Sequence, residues 1–279
     1  MTPLAGKRIL VTRPRAQAAD LCDKLTALGA EPIVFPTIDI APLEDHTALD
    51  RAITDLCSYQ WVVFTSVNGV AAVWDRLVAM GKDGRAFDGI QVAAIGPATA
   101  RALGKRGIHA HFIPDEYIAE AIVDGLGEVR GHRILLPRAD IAREALAVAL
   151  ERRGAIVHEN AAYRTLPAAP DSQGLTELRR GVDAITFTSS STVRNFVLLL
   201  SGSAQYIDAA NYRRMGHHGI PMPSLNRAII ACIGPITAQT AREVGLPVNV
   251  MAAEYTMDGL VAALVEYFSP PDLQVMENR

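Results

Sequence analysis

The longest apolar runs in this sequence, Trp61-Val62-Val63-Phe64 and Ala228-Ile229-Ile230-Ala231-Cys232-Ile233, fall far short of the ~18 residues needed to cross a bilayer. No membrane span and no membrane partner is expected. The opening Met1-Thr2-Pro3-Leu4-Ala5-Gly6-Lys7-Arg8 has no apolar signal stretch, so the expected location is the cytoplasm. Cysteine is scarce. Cys22, Cys57 and Cys232 lie far apart in apolar contexts, which excludes a CxxC pair, a zinc spacing and an even-numbered disulfide framework; all three are expected to be buried packing residues. A surplus of positive charge is missing too: the net charge of -3 argues against a nucleic-acid partner, whose phosphates need a concentrated basic footprint. Lysine is sparse beside arginine. That bias suits forked recognition of carboxylates, and genomic base composition produces it equally well.

Familiar signatures of catalysis are absent as well. There is no convincing Ser-His-Asp set, HExxH, paired-carboxylate motif or metal cluster. Neither GxxxxGK(S/T) nor a GxGxxG following a strand occurs, and Gly125-Leu126-Gly127 lies at a predicted helix end, so NAD, FAD and ATP are disfavoured. No cofactor and no metal is expected. His217-His218 fall in the irregular Arg213-Arg214-Met215-Gly216-His217-His218-Gly219 stretch without further ligands in view, which reads as a solvated loop. His109, His111 and His132 have no partner pattern and read as structural.

What the sequence does contain is an internal repeat. A chain of 279 residues, 49% hydrophobic and 20% charged, can bury a substantial core and suggests two domains. Gly6-Lys7-Arg8-Ile9-Leu10-Val11-Thr12-Arg13 resembles Gly131-His132-Arg133-Ile134-Leu135-Leu136-Pro137-Arg138, and Leu21, Leu25, Gly29 and Ala30 then match Leu146, Leu150, Gly154 and Ala155. Each copy reads as a strand, an amphipathic helix, a glycine cap and another strand. Phe64-Thr65-Ser66-Val67-Asn68-Gly69-Val70 pairs with Phe187-Thr188-Ser189-Ser190-Ser191-Thr192-Val193. Ala94-Ile95-Gly96-Pro97-Ala98-Thr99-Ala100 pairs with Cys232-Ile233-Gly234-Pro235-Ile236-Thr237-Ala238, in a spacing that continues to Gly107 with Gly245 and Glu116-Tyr117 with Glu254-Tyr255. The alternation predicts βα units on two mainly parallel sheets. Extra residues around Ser201 to Arg227 read as a long surface loop, and Pro36 to Pro42 and Ala161 to Pro167 as proline-bounded linkers.

Ligands of open parallel α/β sheets bind beyond the carboxyl ends of the strands, where all the repeated polar motifs sit. Ser66 and Ser189 follow the two Phe-Thr strands; Thr99 and Thr237 lie in the first turns of helices begun by Gly96-Pro97 and Gly234-Pro235. Proline suits the first helical position, and the free N–H groups with the positive end of the dipole favour an anion. The hydroxyls can serve a ligand or simply cap their helices. Arg13 and Arg138 hold equivalent strand-end positions, as bidentate carboxylate clamps or as partners in an ion pair or helix cap.

In order and spacing these residues resemble the uroporphyrinogen-III synthase family over essentially the whole chain. The marks are Ile9-Leu10-Val11-Thr12-Arg13-Pro14, the two Phe-Thr-Ser strand ends, residues 94–100, Ile134-Leu135-Leu136-Pro137-Arg138 followed by Arg143-Glu144, and Ala162-Tyr163-Arg164-Thr165. The resemblance implies two flavodoxin-like parallel-sheet domains joined by a two-stranded hinge, with the substrate cleft between them. Residues 1–38 plus 167–279 would form one domain and 39–166 the other, where spacing alone permits a cut near Gly131.

The reaction implied is loss of water from hydroxymethylbilane to an azafulvene, attack by the substituted position of ring D, then fragmentation and reclosure to uroporphyrinogen III with ring D inverted. This belongs to haem, sirohaem, cobalamin or chlorophyll synthesis. The resemblance favours substrate contact over capping for Ser66, Thr99 and Ser189, while Arg13, Arg138 and Thr237 stay candidate contacts for a substrate bearing eight carboxylates, with the ion-pair and capping alternatives open. It makes Tyr163 the catalytic candidate, bonding the departing hydroxyl; the alternative is a hinge residue whose hydroxyl is satisfied by backbone. Tyrosine at its ordinary pKa of ~10 is a weak general acid, and the larger task is orienting the chain. Asn68 stands where some relatives carry a basic residue, which weakens a cationic contact there. A monomer is expected, with substrate handed over by hydroxymethylbilane synthase. The competing readings are a two-lobed sensor that closes on an anionic ligand and a flavodoxin-like electron carrier, which would need a flavin-phosphate loop.

Overall fold

The structure is a computed structural model that describes residues 2–116, 118–142, 144–169, 171–201 and 227–269. Tyr117, Arg143 and the interior of the expected Ser201 to Arg227 loop, with His217-His218, lie outside the described residues. The chain runs β1 (Arg8–Val11), α1 (Ala19–Ala27), β2 (Glu31–Val34), β3 (Ile38–Ala41), α2 (Thr47–Thr54), β4 (Trp61–Phe64), α3 (Val67–Ala79), β5 (Gln91–Ala94), α4 (Pro97–Gly104), α5 (Ala119–Gly125), β6 (Arg133–Ala139), α6 (Ala145–Arg152), β7 (Ile156–Pro167), α7 (Ser172–Arg180), β8 (Ala184–Phe187), α8 (Ser190–Ser201), β9 (Ile229–Cys232), α9 (Pro235–Glu243), β10 (Val248–Met251) and α10 (Met257–Phe268).

These elements form two units, Met1–Asp39 with Leu166–Arg279, and Ile40–Thr165. In the first, the sheet order is β10-β9-β8-β1-β2, and the pairings are parallel. Counted along the chain, this is the 2-1-3-4-5 order of flavodoxin-like sheets. The second unit has the order β3-β7-β6-β4-β5. Because β6 and β7 are the repeat copies of β1 and β2, and β4 and β5 those of β8 and β9, four positions of the first sheet recur with the two strand pairs exchanged in chain order. The copy of β10 is reduced to a parallel bridge between Ala93 and Phe112.

Burial on both faces explains why the strands are continuous apolar runs and not alternating ones. Ile9 and Val11 pack with Leu21, Leu25, Leu260 and Leu264, while Leu10 between them packs with Phe187 and Phe196. The second sheet follows the same rule: Val62, Phe64 and Leu135 join Leu49, Ile53 and Leu77, and Val63, Ile134 and Leu136 join Ile122, Leu146 and Leu150. Each fully buried side chain of this size stabilises the fold by about 1.5–3 kcal/mol. Helices α1 and α6 stop at the repeat-equivalent Gly29 and Gly154, whose φ of 84° and 85° suit the left-handed residue after a helix end.

Two expectations change. The proline-bounded segments do carry the chain between the units, which divide at Asp39/Ile40 and Thr165/Leu166, but they do so as strands: Ile38–Ala41 is β3, and β7 extends for 12 residues to Pro167, since proline is tolerated at the end of a strand that needs no further donor there. Cys232 is buried and Cys22 half-buried, but Cys57 is exposed, because its 3-10 turn directs Leu56 inward instead. Among the described residues no helix is long and apolar enough to cross a membrane.

Candidate active site

The chain leaves β1 for β2 on one side of the first sheet, and β8 for β9 on the other. The carboxyl ends of β1 and β8 therefore flank the topological switch point, where ligands of open α/β sheets bind. In the second sheet the ends of β6 and β4 hold that place. Arg13 and Ser189 stand at the first switch point, Arg138 and Ser66 at the second.

In the second unit, Ser66 caps α3 by accepting the Gly69 N–H at 3.0 Å. A Cβ on Gly69 would lie 2.9 Å from the Pro137 carbonyl oxygen, so glycine is what lets α3 begin against the end of β6. The Ser66 hydroxyl also lies 3.1 Å from the Tyr163 phenol oxygen. Tyr163 is 8% exposed, and the Asn68 side chain gives its phenol a second hydrogen bond. Burial holds the phenol above its ordinary pKa of 10.0; the bonds from Ser66 and Asn68 oppose this, Asp140 reinforces it, and Arg138 opposes it. At neutral pH the group is therefore a protonated donor and not a phenolate base. The buried Arg138 guanidinium forms an ion pair with Glu159 of β7, whose side chain is 40% exposed. Thr99, 3% exposed, is the third residue of α4, which begins Gly96-Pro97 without a side-chain cap. The first-turn amides of α4 have no intrahelical acceptor.

In the first unit, buried threonines tie the switch point together. Thr12 Oγ1 donates to the Thr186 carbonyl at 2.7 Å, Thr186 Oγ1 to the Leu10 carbonyl at 2.9 Å and Thr37 Oγ1 to the Thr12 carbonyl at 3.2 Å. Ser189 caps α8 by accepting the Thr192 N–H at 3.2 Å, Thr192 Oγ1 donates back to the Ser189 carbonyl at 2.7 Å, and the Ser191 hydroxyl lies 3.0 Å from that of Ser189. The half-buried Arg13 donates from Nε to the Gln17 carbonyl at 3.0 Å, from Nη2 to Gln17 Oε1 at 3.2 Å, and from Nη1 to Met257 Sδ at 3.5 Å. Burial lowers its pKa, with Asp20 acting against the shift, and a guanidinium stays cationic throughout. No carboxylate forms a salt bridge with Arg13 among the described residues. Thr237 is 5% exposed, in the first turn of α9 after Gly234-Pro235, again without a side-chain cap.

Of the residues singled out by sequence, Ser66 and Tyr163 meet directly with Arg138 near them. Ser189 is engaged in its own cap, and Thr99 and Thr237 sit one strand further out, after β5 and β9. Glu159, Gln17 and Met257 are partners the sequence did not indicate: each reaches its arginine through strand register or helix placement and not through a motif.

Fold and strand ends together define a protein of two α/β units on mainly parallel sheets, with arginine and hydroxyl side chains at the ends of their central strands. The sequence matches the family model described as Uroporphyrinogen-III synthase HemD over residues 19–262. The uroporphyrinogen-III synthase of Synechococcus elongatus is 36% identical over 95% of this chain and 97% of its own, and a putative uroporphyrinogen-III synthase of Methanothermobacter thermautotrophicus is 32% identical over 91% and 96%. Among solved structures, a mutant uroporphyrinogen III synthase from Thermus thermophilus aligns with a TM-score of 0.64 and 21% identity over 94% of this chain and 98% of that one. This likeness bears on the fold. The chain belongs to the uroporphyrinogen-III synthase family, cyclising enzymes of the lyase class that serve tetrapyrrole biosynthesis.

Proposed function

We propose that this chain closes hydroxymethylbilane to uroporphyrinogen III, with loss of water and inversion of ring D, mainly by holding the substrate's shape. Arg13 and the uncapped first turn of α9 at Thr237 supply positive potential for acetate and propionate arms in the first unit, together with the Ser189 hydroxyl. In the second, the α4 first turn with Thr99, the Ser66 hydroxyl and Arg138 do so; a carboxylate at Arg138 shares the guanidinium with Glu159 or displaces it.

The observation that carries the chemical part is the buried, protonated Tyr163 phenol beside Ser66. In this reading Tyr163 donates a hydrogen bond to the hydroxyl that departs from the hydroxymethyl group. The pyrrole nitrogen pushes that hydroxyl out to leave an azafulvene, and the hydroxyl takes up a proton to go as water. The substituted carbon of ring D attacks the exocyclic carbon to form the spiro intermediate. The bond joining ring D to its old bridge then breaks, and the freed bridge carbon bonds to the other free position of ring D, which loses a proton. A phenol with a raised pKa is a poor proton donor, so Tyr163 contributes a hydrogen bond worth about 0.5–1.5 kcal/mol, and orientation carries the rest. The enzyme is read as a cytoplasmic monomer that takes its substrate from hydroxymethylbilane synthase and uses no cofactor. Freshly made hydroxymethylbilane, incubated with the protein and oxidised for separation of isomers, should yield the type III porphyrin; type I alone, the spontaneous product, would defeat the proposal.

A further inference from the structure

Strand β7 changes phase just where it delivers Tyr163. Its register against β6 pairs Arg138 with Ala161 but Ala139 with Tyr163, so Ala162 is an extra residue in the ladder. The burial pattern records the slip: Ala162 and Tyr163 are both buried, Arg164 is not, and Thr165 is again buried. In an uninterrupted strand successive side chains point to opposite faces, and a one-residue slip moves every later side chain to the other face. The bulge thus puts Tyr163 on the same face as Ala162, in the core cluster that contains Phe64 and Val70, within reach of Ser66 at the start of α3.

Past the bulge the pairing runs on beyond the last residue of β6, and one residue makes both of its closing contacts. The Asp140 N–H donates to the Tyr163 carbonyl at 3.0 Å, and the Thr165 N–H donates to Asp140 Oδ1 at 3.1 Å. Asp140 therefore grips the strand at Tyr163 and two residues beyond it, from the end of the neighbouring strand. The residue is exposed, while Thr165 is 8% exposed. No packing requirement explains an acid at this position; the acceptor it offers to a buried N–H does. Thr165 is also the last residue of the second unit, so the grip fixes the β7 backbone between the phenol and the point where the chain passes into the first unit.

We infer that Asp140 is a positioning residue for Tyr163, acting through the acceptor oxygen it presents to Thr165 and touching no substrate atom. The inference rests on the catalytic reading of Tyr163 for its kinetic consequence and on geometry alone for the rest. Asp140→Ala removes the acceptor; Asp140→Asn keeps one and removes the charge. Because the side chain is exposed, both variants are expected to fold. In Asp140→Ala, kcat for the type III product should fall about fivefold with KM changed less than twofold, while Asp140→Asn stays within about twofold of the parent in both. The Tyr163 ring-carbon resonance beside the phenol oxygen, followed by carbon NMR with labelled tyrosine, should move in the alanine variant and return in the asparagine variant. The Thr165 amide should exchange faster only in the alanine variant.

An Asp140→Asn as slow as Asp140→Ala would overturn the inference, because the carboxylate charge would then be what matters. An unmoved Tyr163 resonance and Thr165 amide in Asp140→Ala would overturn it too. If Tyr163→Phe and Asp140→Ala both leave turnover unchanged while the resonance moves in alanine and returns in asparagine, the positioning is upheld and only the chemistry assigned to Tyr163 falls.

Discussion

At the end of β6, Arg138 is buried against Glu159 and lies near a phenol that shares a hydrogen bond with Ser66. At the equivalent end of β1, Arg13 rests on the neutral Gln17 and Met257, and Ser189 bonds to Ser191 and Thr192 with no tyrosine at its side among the described residues. The two sheets share four strand positions and the glycine, proline and serine framework of their ends. They differ in what the neighbouring element brings. One copy holds a proton-bearing group with its charge already matched, the other an arginine that no described carboxylate pairs. Repetition passes on the frame, and the residue across the ladder decides what each place in the frame can do.

The contrast is broken most directly at the two arginines. Removing Arg13 should cost the ~1.5–3 kcal/mol of a hydrogen bond to a charged group, seen as a KM raised roughly ten- to hundredfold in Arg13→Ala with a smaller change in kcat. Arg138→Ala should raise KM only several-fold, yet lower the urea-unfolding free energy by about 1 kcal/mol through loss of the buried guanidinium's bond and packing, since the partly exposed Glu159 regains water. Equal KM effects and equal stabilities would erase the distinction between the copies. Next in size is Tyr163→Phe, for which steady-state kinetics should show kcat down about tenfold, the loss of one hydrogen bond, with KM little altered.

The pH dependence sharpens the same point. The folded phenol has its pKa raised above 10.0, so below that value both folded and unfolded chains keep the proton and the stabilisation is whole. As pH rises further the unfolded chain ionises first, and the contribution is lost as pH climbs through the folded value. Urea midpoints should therefore fall less above pH 10 in Tyr163→Phe than in the parent, and kcat should show no limb from this group at neutral pH. The serines come last. Ser66→Ala and Ser189→Ala should each lose about 1 kcal/mol of stability as helix caps, but only Ser66→Ala should also lower kcat, because of the two serines it is Ser66 that touches the phenol. A comparable kcat loss in both would put catalytic contact in the first unit as well.

Much of this frame was legible in the sequence because the strands are buried on both faces: Ile9-Leu10-Val11 and Ile134-Leu135-Leu136 need apolar residues at every position, and that leaves a pattern a reader can match. Gly29 and Gly154 were legible because a left-handed helix end admits little else. The linkers read around Thr37 and Arg164 turned out to be strands, since pairing with a distant neighbour, and not local composition, decides whether a proline-bounded segment joins a ladder. Glu159 was invisible as the partner of Arg138 for the same reason: their meeting depends on the β6–β7 register. The slip at Ala162 leaves no mark in Ala161-Ala162-Tyr163 beyond small residues. Ser66 and Tyr163, 97 positions apart, were each singled out for separate reasons, and nothing local announced that they touch.

The crossed chain order of the two units sets a timetable for their making. The second unit is one continuous stretch, Ile40–Thr165, so all its strands are synthesised before β8. Strand β1 and its neighbour β2, made first, must wait for Thr186, the residue that receives the Thr12 hydroxyl from 174 positions further along the chain. At about 5–20 residues per second that wait is on the order of ten to thirty seconds, with two apolar strands in search of a sheet. The unit that opens the sequence is the one completed last.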